Sequence, residues 1–197
     1  MIIYVIIIFV LILKFGDVLV KNIELQEKNK KEFESIIEEL LANPTVQEMS
    51  KYRQHYTTST LEHCINVAYY NYLICKKLGL DYKSAARAGL LHDLYLYDWR
   101  KKQPGRKRLH AFHHPRIALN NSKKLFTLNQ KEEDIILKHM WPLTVVLPKY
   151  KESYIITLVD KYCTLHETWD YYRSHLNQKR AYRFTYLFFS LLVIQIV

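Results

Sequence analysis

The chain has 197 residues and a formal net charge of +10, a length that suits one domain with a core of its own. Four glycines and five prolines are fewer than half the usual share, which predicts long helices joined by short loops. The widely spaced glycines exclude phosphate-cradling loops and G-x-S-x-G elbows, and three cysteines without a C-x-x-C pair exclude thiolate zinc ribbons and thioredoxin-type chemistry. Met1–Leu13 is uncharged and almost wholly apolar. As a helix it would span about 20 Å, short of the roughly 30 Å hydrocarbon core of a bilayer. Extension to Val20 reaches the needed length and takes in Lys14 and Asp17. No basic stretch precedes the run and no small-x-small site follows it, so a cleaved signal peptide is not expected. With Lys21, Lys28, Lys30 and Lys31 behind it, segment 1–20 reads as a membrane anchor that leaves the rest on the cytoplasmic side. A buried segment in a cytoplasmic protein is the alternative.

Residues 21–54 form a lead-in, in which Phe33, Ile36, Ile37, Leu40 and Leu41 mark an amphipathic helix ending at Asn43-Pro44. Ser59 and Glu62 predict a capping box, and the helix behind it runs through Cys64, Ala68, Tyr72 and Cys75 to Gly79. Asp81 caps the next helix, which reaches His92-Asp93. Pro115 predicts the first turn of a helix through Asn120. Asn129 and Glu132 make another capping box, and a last clear helix covers Glu152 to about Trp169. A C-terminal extension, 171–197, carries the uncharged run Phe184–Val197 behind Arg180 and Arg183, assigned to the core or an interface. No stretch alternates with period two over more than a few residues, so the fold class is all-α.

The chemistry-bearing residues are nine histidines, most of them between 55 and 139, and a few aspartates on the same helices. Asp160 shares an apolar face with Ile156, Val159 and Cys163, where a carboxylate needs a cation, a metal or several donors. A pair with a lysine such as Lys161 is the plain alternative. His139 sits in the same way beside Ile135 and Ile136. Imidazole and carboxylate together suit Mn, Fe, Co, Ni, Zn or Mg better than Ca. An adjacent His92-Asp93 at a helix end offers a nitrogen and a bridging carboxylate to one centre.

The order His63, His92-Asp93, His114, His139, Asp160 resembles the HD-domain superfamily of metal-dependent phosphohydrolases, over about Tyr56–Glu167. STLEHCINVA (59–68) looks like that family's first-histidine helix and AGLLHD (88–93) like its His-Asp helix. His114-Pro115 with Ile117-Ala118 looks like the H-P-x-x-[GA] element of members with extra histidines. The resemblance implies an HD helical bundle over 55–170. It also implies a first metal held by His63, His92, Asp93 and Asp160, and a second held by the bridging Asp93 with His114 and His139. Asp93 and His92 would then carry catalysis, with a metal-bound water as nucleophile. His113 stays open as an alternative ligand. The run after His-Asp is Leu94-Tyr95-Leu96-Tyr97 rather than Ile-Gly-Lys, and no Gly-Tyr-Pro follows, which sets the chain apart from the cyclic di-GMP branch.

Six of the nine residues from Arg100 to Arg108 are basic and none is acidic. Arg100, Lys102, Arg106 and Arg108, with His110, are candidates for binding a phosphorylated, nucleotide-like substrate. Nucleic acid and anionic lipid are less favoured partners of the same segment. The functional expectation is a divalent-metal phosphohydrolase acting on a phosphomonoester or phosphodiester. The alternative is a non-catalytic, membrane-tethered adaptor that binds a phosphorylated ligand or nucleic acid through 100–108.

Overall fold

The computed structural model describes residues 23–101 and 110–177. The chain enters as α1 (Ile23–Leu41), followed by the short α2 (Pro44–Gln47) and a 3-10 turn (Glu48–Lys51). A hairpin of β1 (Arg53–His55) and β2 (Thr58–Ser59) leads into α3 (Thr60–Lys77) and α4 (Tyr82–Leu91). Then come α5 (His110–Leu125), α6 (Gln130–Lys138) and α7 (Lys151–Asn177). The fold is all-α apart from this two-stranded hairpin.

Local chemistry sets most of the boundaries. Asn43 caps α2 through Thr45 N–H, and Pro44 takes the first helical position, where a missing N–H costs nothing. Both expected capping boxes form, Ser59 with Glu62 on α3 and Asn129 with Glu132 on α6. The Asp81 side chain accepts from Ser84 N–H at the start of α4. Gly79, with φ 65°, makes the left-handed turn after α3 that other residues resist.

Two expectations need correction. Pro115 lies inside α5, because a proline's fixed φ suits a helix but does not tell how many turns precede it. α7 continues to Asn177, well past Trp169. The hairpin at 53–59 is too short to show a period in the sequence. The segment 1–20 and the run 184–197 lie outside the described residues. Among the described residues, no helix is long and apolar enough to cross a membrane.

α3 is the central element, packed most extensively on α4 and then on α7, while α6 contacts α4, α5 and α7. The core draws Phe33, Ile37 and Leu40 from α1, Val67 and Tyr72 from α3, Leu90 and Leu91 from α4, Ile135 and Ile136 from α6, and Ile156 and Val159 from α7. α1 is also held by polar groups. Glu32 meets Lys76 and the hydroxyls of Tyr72 and Tyr82, each hydroxyl at 2.9 Å. The Lys76 hydrogen bond, aided by both tyrosines, lowers the Glu32 carboxyl to about 2.

The α3–α4 crossing depends on one missing side chain. A Cβ on Gly89 would stand 2.7 Å from Ala68 Cα, a backbone atom that cannot step aside. The same glycine's carbonyl holds the ring of His92 at the end of α4. Gly89→Ala is therefore expected to destabilise the fold by about 1–3 kcal/mol through overpacking. Urea unfolding checks this, and an unchanged midpoint would refute the close-packed crossing.

Candidate metal centre

Five helix segments deliver six side chains to one place. His63 projects from α3 one turn past its cap, and His92 and Asp93 follow directly after α4. His114 lies on α5, His139 caps the C-terminal end of α6, and Asp160 lies on α7. The last carbonyls of a helix lack intrahelical partners. His92 and His139 use this, donating Nδ1–H to the carbonyls of Gly89 (2.7 Å) and Ile136 (2.8 Å). His114 donates Nδ1–H to the His110 carbonyl at 3.0 Å. In all three the ring is thereby oriented, with Nε2 facing the cluster. His63 is oriented differently, by a carboxylate: its Nδ1 lies 3.1 Å from Glu167 of α7.

The atoms that meet are all ligand types. Asp93 Oδ1 lies 3.2 Å from His114 Nε2 and 3.6 Å from His139 Nε2. Asp93 Oδ2 lies 3.6 Å from His92 Nε2, and Asp160 Oδ1 lies 3.1 Å from His63 Nε2 and 3.7 Å from His92 Nε2. They fall into overlapping triads, each with ligand atoms within 4.8 Å of one another: His63–His92–Asp93, His92–His139–Asp160 and Asp93–His114–His139. His63, His92, Asp93, His114 and His139 are buried, and the Asp160 side chain is 13% exposed.

Two observations fit a divalent cation. His92 Nε2 and Asp93 Oδ1 are buried and have no hydrogen-bond partner. His114 Nε2 and His139 Nε2 stand 2.7 Å apart although each ring has already committed its other nitrogen as the donor. Two lone pairs at that distance repel unless a proton or a metal lies between them. A set of four imidazoles and two carboxylates suits borderline divalent metals.

The electrostatics of the cluster are strongly coupled. Burial opposes the charge on His63 more than any other effect, yet Asp160 and Glu167 raise the ring to about 10. Burial likewise opposes charge on His92, and Asp93 still keeps it well above the ordinary histidine value. Burial is also the largest influence on Asp93 and Asp160, and the surrounding imidazoles nonetheless hold both far below the usual carboxylate range. His139, desolvated and facing His114 and His92, drops to about 3. The carboxylates and the imidazoles thus hold each other's charge.

The remaining expected residues divide. The plain alternative for Asp160 is absent, since Lys161 donates instead to the carbonyls of Thr157 (3.0 Å) and Trp141 (3.4 Å). His113 belongs to none of the triads. His110 lies beside the cluster in a row of stacked rings, 4.5 Å from His114 on one side and 5.5 Å from Trp99 on the other, with Tyr97 Oη 3.2 Å from its Nδ1. Arg100 turns back on Asp98, with Nε–Oδ1 at 2.9 Å and Nη2–Oδ2 at 3.0 Å. Lys102, Arg106 and Arg108 lie outside the described residues.

Two residues at the centre escaped the sequence reading. Glu167 continues the stripe Ile156–Asp160–Cys163 by one more helical step, so a signal existed. Gln54, whose Nε2–H donates to Asp93 Oδ2 at 2.6 Å, is 39 residues from its partner and had none.

A family model described as the HD domain matches residues 60–165. Ribonuclease Y of Clostridium perfringens (strain SM101 / Type A) is 50% identical over 44 residues, 22% of this chain and 9% of that protein. Ribonuclease Y of Bacillus thuringiensis (strain Al Hakam) is 50% identical over 44 residues, 22% of this chain and 8% of that protein. The match therefore covers under a tenth of the length of these curated relatives. No solved structure matches the chain significantly.

Asp160 and Glu167 raise the His63 ring to about 10, so a divalent ion that takes its Nε2 is expected to displace a proton. Calorimetric titration with Mn²⁺ in buffers of different ionisation enthalpy should show at least one proton released at pH 7. Affinity should fall about tenfold for each pH unit below 7 that a single proton competes. Binding without proton release between pH 7 and 8 would refute the charged state of His63.

Proposed function

This chain belongs to the HD-domain superfamily of metal-dependent phosphohydrolases, and from that premise we propose that it hydrolyses a nucleotide-like phosphomonoester or phosphodiester at the cluster around Asp93. The observation that carries this reading is the convergence of four imidazole Nε2 atoms and two carboxylates, with His114 and His139 meeting at 2.7 Å through nitrogens that are both left as acceptors. Under this reading His63, His92, Asp93 and Asp160 hold one ion, and Asp93, His114 and His139 hold a second. Divalent ions bound there, whether Mn, Fe, Co, Ni, Zn or Mg, supply Lewis acidity toward a phosphoryl oxygen and an activated water.

The chain's own groups do the rest. Asp93 is shared between the two nitrogen sets, and His92 is anchored to Gly89 so that its free nitrogen faces both carboxylates. Glu167 keeps the His63 ring in register by taking its Nδ1–H. The basic segment 100–108 begins beside the ring row Trp99–His110–His114, which supports attraction of a phosphate toward the cluster. The uncharged run 1–13 and the lysines behind residue 20 support an N-terminal anchor that keeps the domain on the cytoplasmic side of a membrane. Deletion of residues 1–20 should release the protein from the membrane fraction, and retention after deletion would refute the anchor.

A second substrate class is favoured by one observation. The relatives that share the 44-residue match are named Ribonuclease Y, which makes an RNA phosphodiester the other candidate. Elemental analysis of the purified chain, with hydrolysis assays on nucleotides, cyclic nucleotides and short single-stranded RNA, separates the readings. Asp93→Ala should lose bound metal and reduce turnover at least about 100-fold. Ligand binding without turnover, weakened by charge reversal at Arg106–Arg108 and indifferent to His139→Ala, would mark a non-catalytic adaptor. A chain that binds no metal under any loading condition would overturn the proposal.

A further inference from the structure

The carboxylate shared by the two nitrogen sets is held from outside the cluster. Gln54 comes from the hairpin, not from the helices that carry the ligands. Arg53 pairs with Ser59 and His55 with Thr58, so Gln54 is the extra residue of a bulge. A bulge re-aims a side chain, and here it sends Gln54 into the core, where the residue is 8% exposed.

The orientation of its amide follows from its neighbours. The NH₂ group of Gln54 donates to Asp93 Oδ2 at 2.6 Å. The amide oxygen then faces the other way and accepts from the buried hydroxyl of Tyr95. Thr60 Oγ1, at 3.3 Å, is a second donor that it shares with the Tyr52 carbonyl. The backbone carbonyl of Gln54 accepts Trp99 Nε1–H at 3.2 Å, which pins the entrance of the basic segment to the same residue.

We propose that Gln54 is a positioning residue for Asp93. By holding Oδ2 it fixes the rotation of the carboxyl group that leaves Oδ1 facing His114 and His139, at 3.2 and 3.6 Å, and so sets the affinity of the second cation position. The inference rests on the metal-centre reading above and adds to it a support that lies outside the ligand set. Without the amide, the carboxyl group is free to turn toward His92 alone. The first position also uses Asp93, but its other three ligands, His63, His92 and Asp160, do not depend on Gln54. Two of them keep their own anchors at Glu167 and Gly89, so the first position should be weakened less than the second.

The test uses the full chain, with Mn²⁺ as the probe. Bound ions are counted by elemental analysis and their affinities read by calorimetry. The wild type should hold two ions. Gln54→Leu, close in size and unable to donate, should weaken the first less and the second by about 10–100-fold, the usual cost of losing an outer partner of a ligand. Tyr95→Phe removes only the hydroxyl that orients the amide, and should weaken the second ion by a smaller factor. It carries the test if Gln54→Leu does not fold. Equal affinities in variant and wild type, or equal weakening of both ions, would overturn the inference while leaving the metal-centre reading intact. A wild type with a single ion would remove the second position on which the inference depends. A wild type that binds no Mn²⁺ would overturn both.

Discussion

Two carboxylates, Asp93 and Asp160, lie inside a helical core with their pKa values held well below the usual carboxylate range, and the positive charge this requires shapes what surrounds them. Buried carboxylates without compensation are costly. Among the described residues the compensation comes from imidazoles and not from lysine or arginine. Lys161, next in sequence to Asp160, turns to backbone carbonyls instead. Imidazole is a cation while protonated and a ligand once the proton leaves, so one arrangement can satisfy the carboxylates with protons or with metal.

That arrangement needs several helix ends to meet, and each meeting has a local cause. The α3–α4 crossing is as close as it is because Gly89 offers no Cβ to Ala68. The carbonyl of that glycine then fixes the ring of His92. Ile136 performs the same office for His139 at the end of α6. Unpaired helix carbonyls, elsewhere a problem for a fold to solve, serve here to orient the ring of a ligand.

Around this centre the supports differ in kind. His63 leans on the carboxylate of Glu167, which Asn66 also steadies at 3.3 Å. Asp93 leans on an amide from the hairpin, held in turn by a buried tyrosine. The hairpin is further docked on the far end of α7, where Tyr56 stacks on Tyr171 with ring centroids 4.2 Å apart. Trp99, just before the basic segment, is bonded to the Gln54 carbonyl. The site and the segment expected to receive substrate therefore share one residue that is itself no ligand.

The sequence by itself determined what is local. Capping boxes at Ser59 and Asn129, the apolar stripe of α1 and the misplaced polarity of Asp160 are each written within a turn or two of helix, where side-chain spacing translates directly into position. The ordered His and Asp set was legible through its resemblance to a known family, whose motifs are also short and local. What only the tertiary structure decided lies between elements. Pro115 could not say how far α5 had already run before it, and His113 and His114 were equivalent until the helix acquired an orientation. Gln54 carried no signal, because its role depends on a bulge in a short hairpin and on a partner 39 residues away. Glu167 stood on a visible stripe, but its partner His63 lies 104 residues earlier. Hydrogen-bond geometry across that separation is set by how the helices cross, and no local pattern records it.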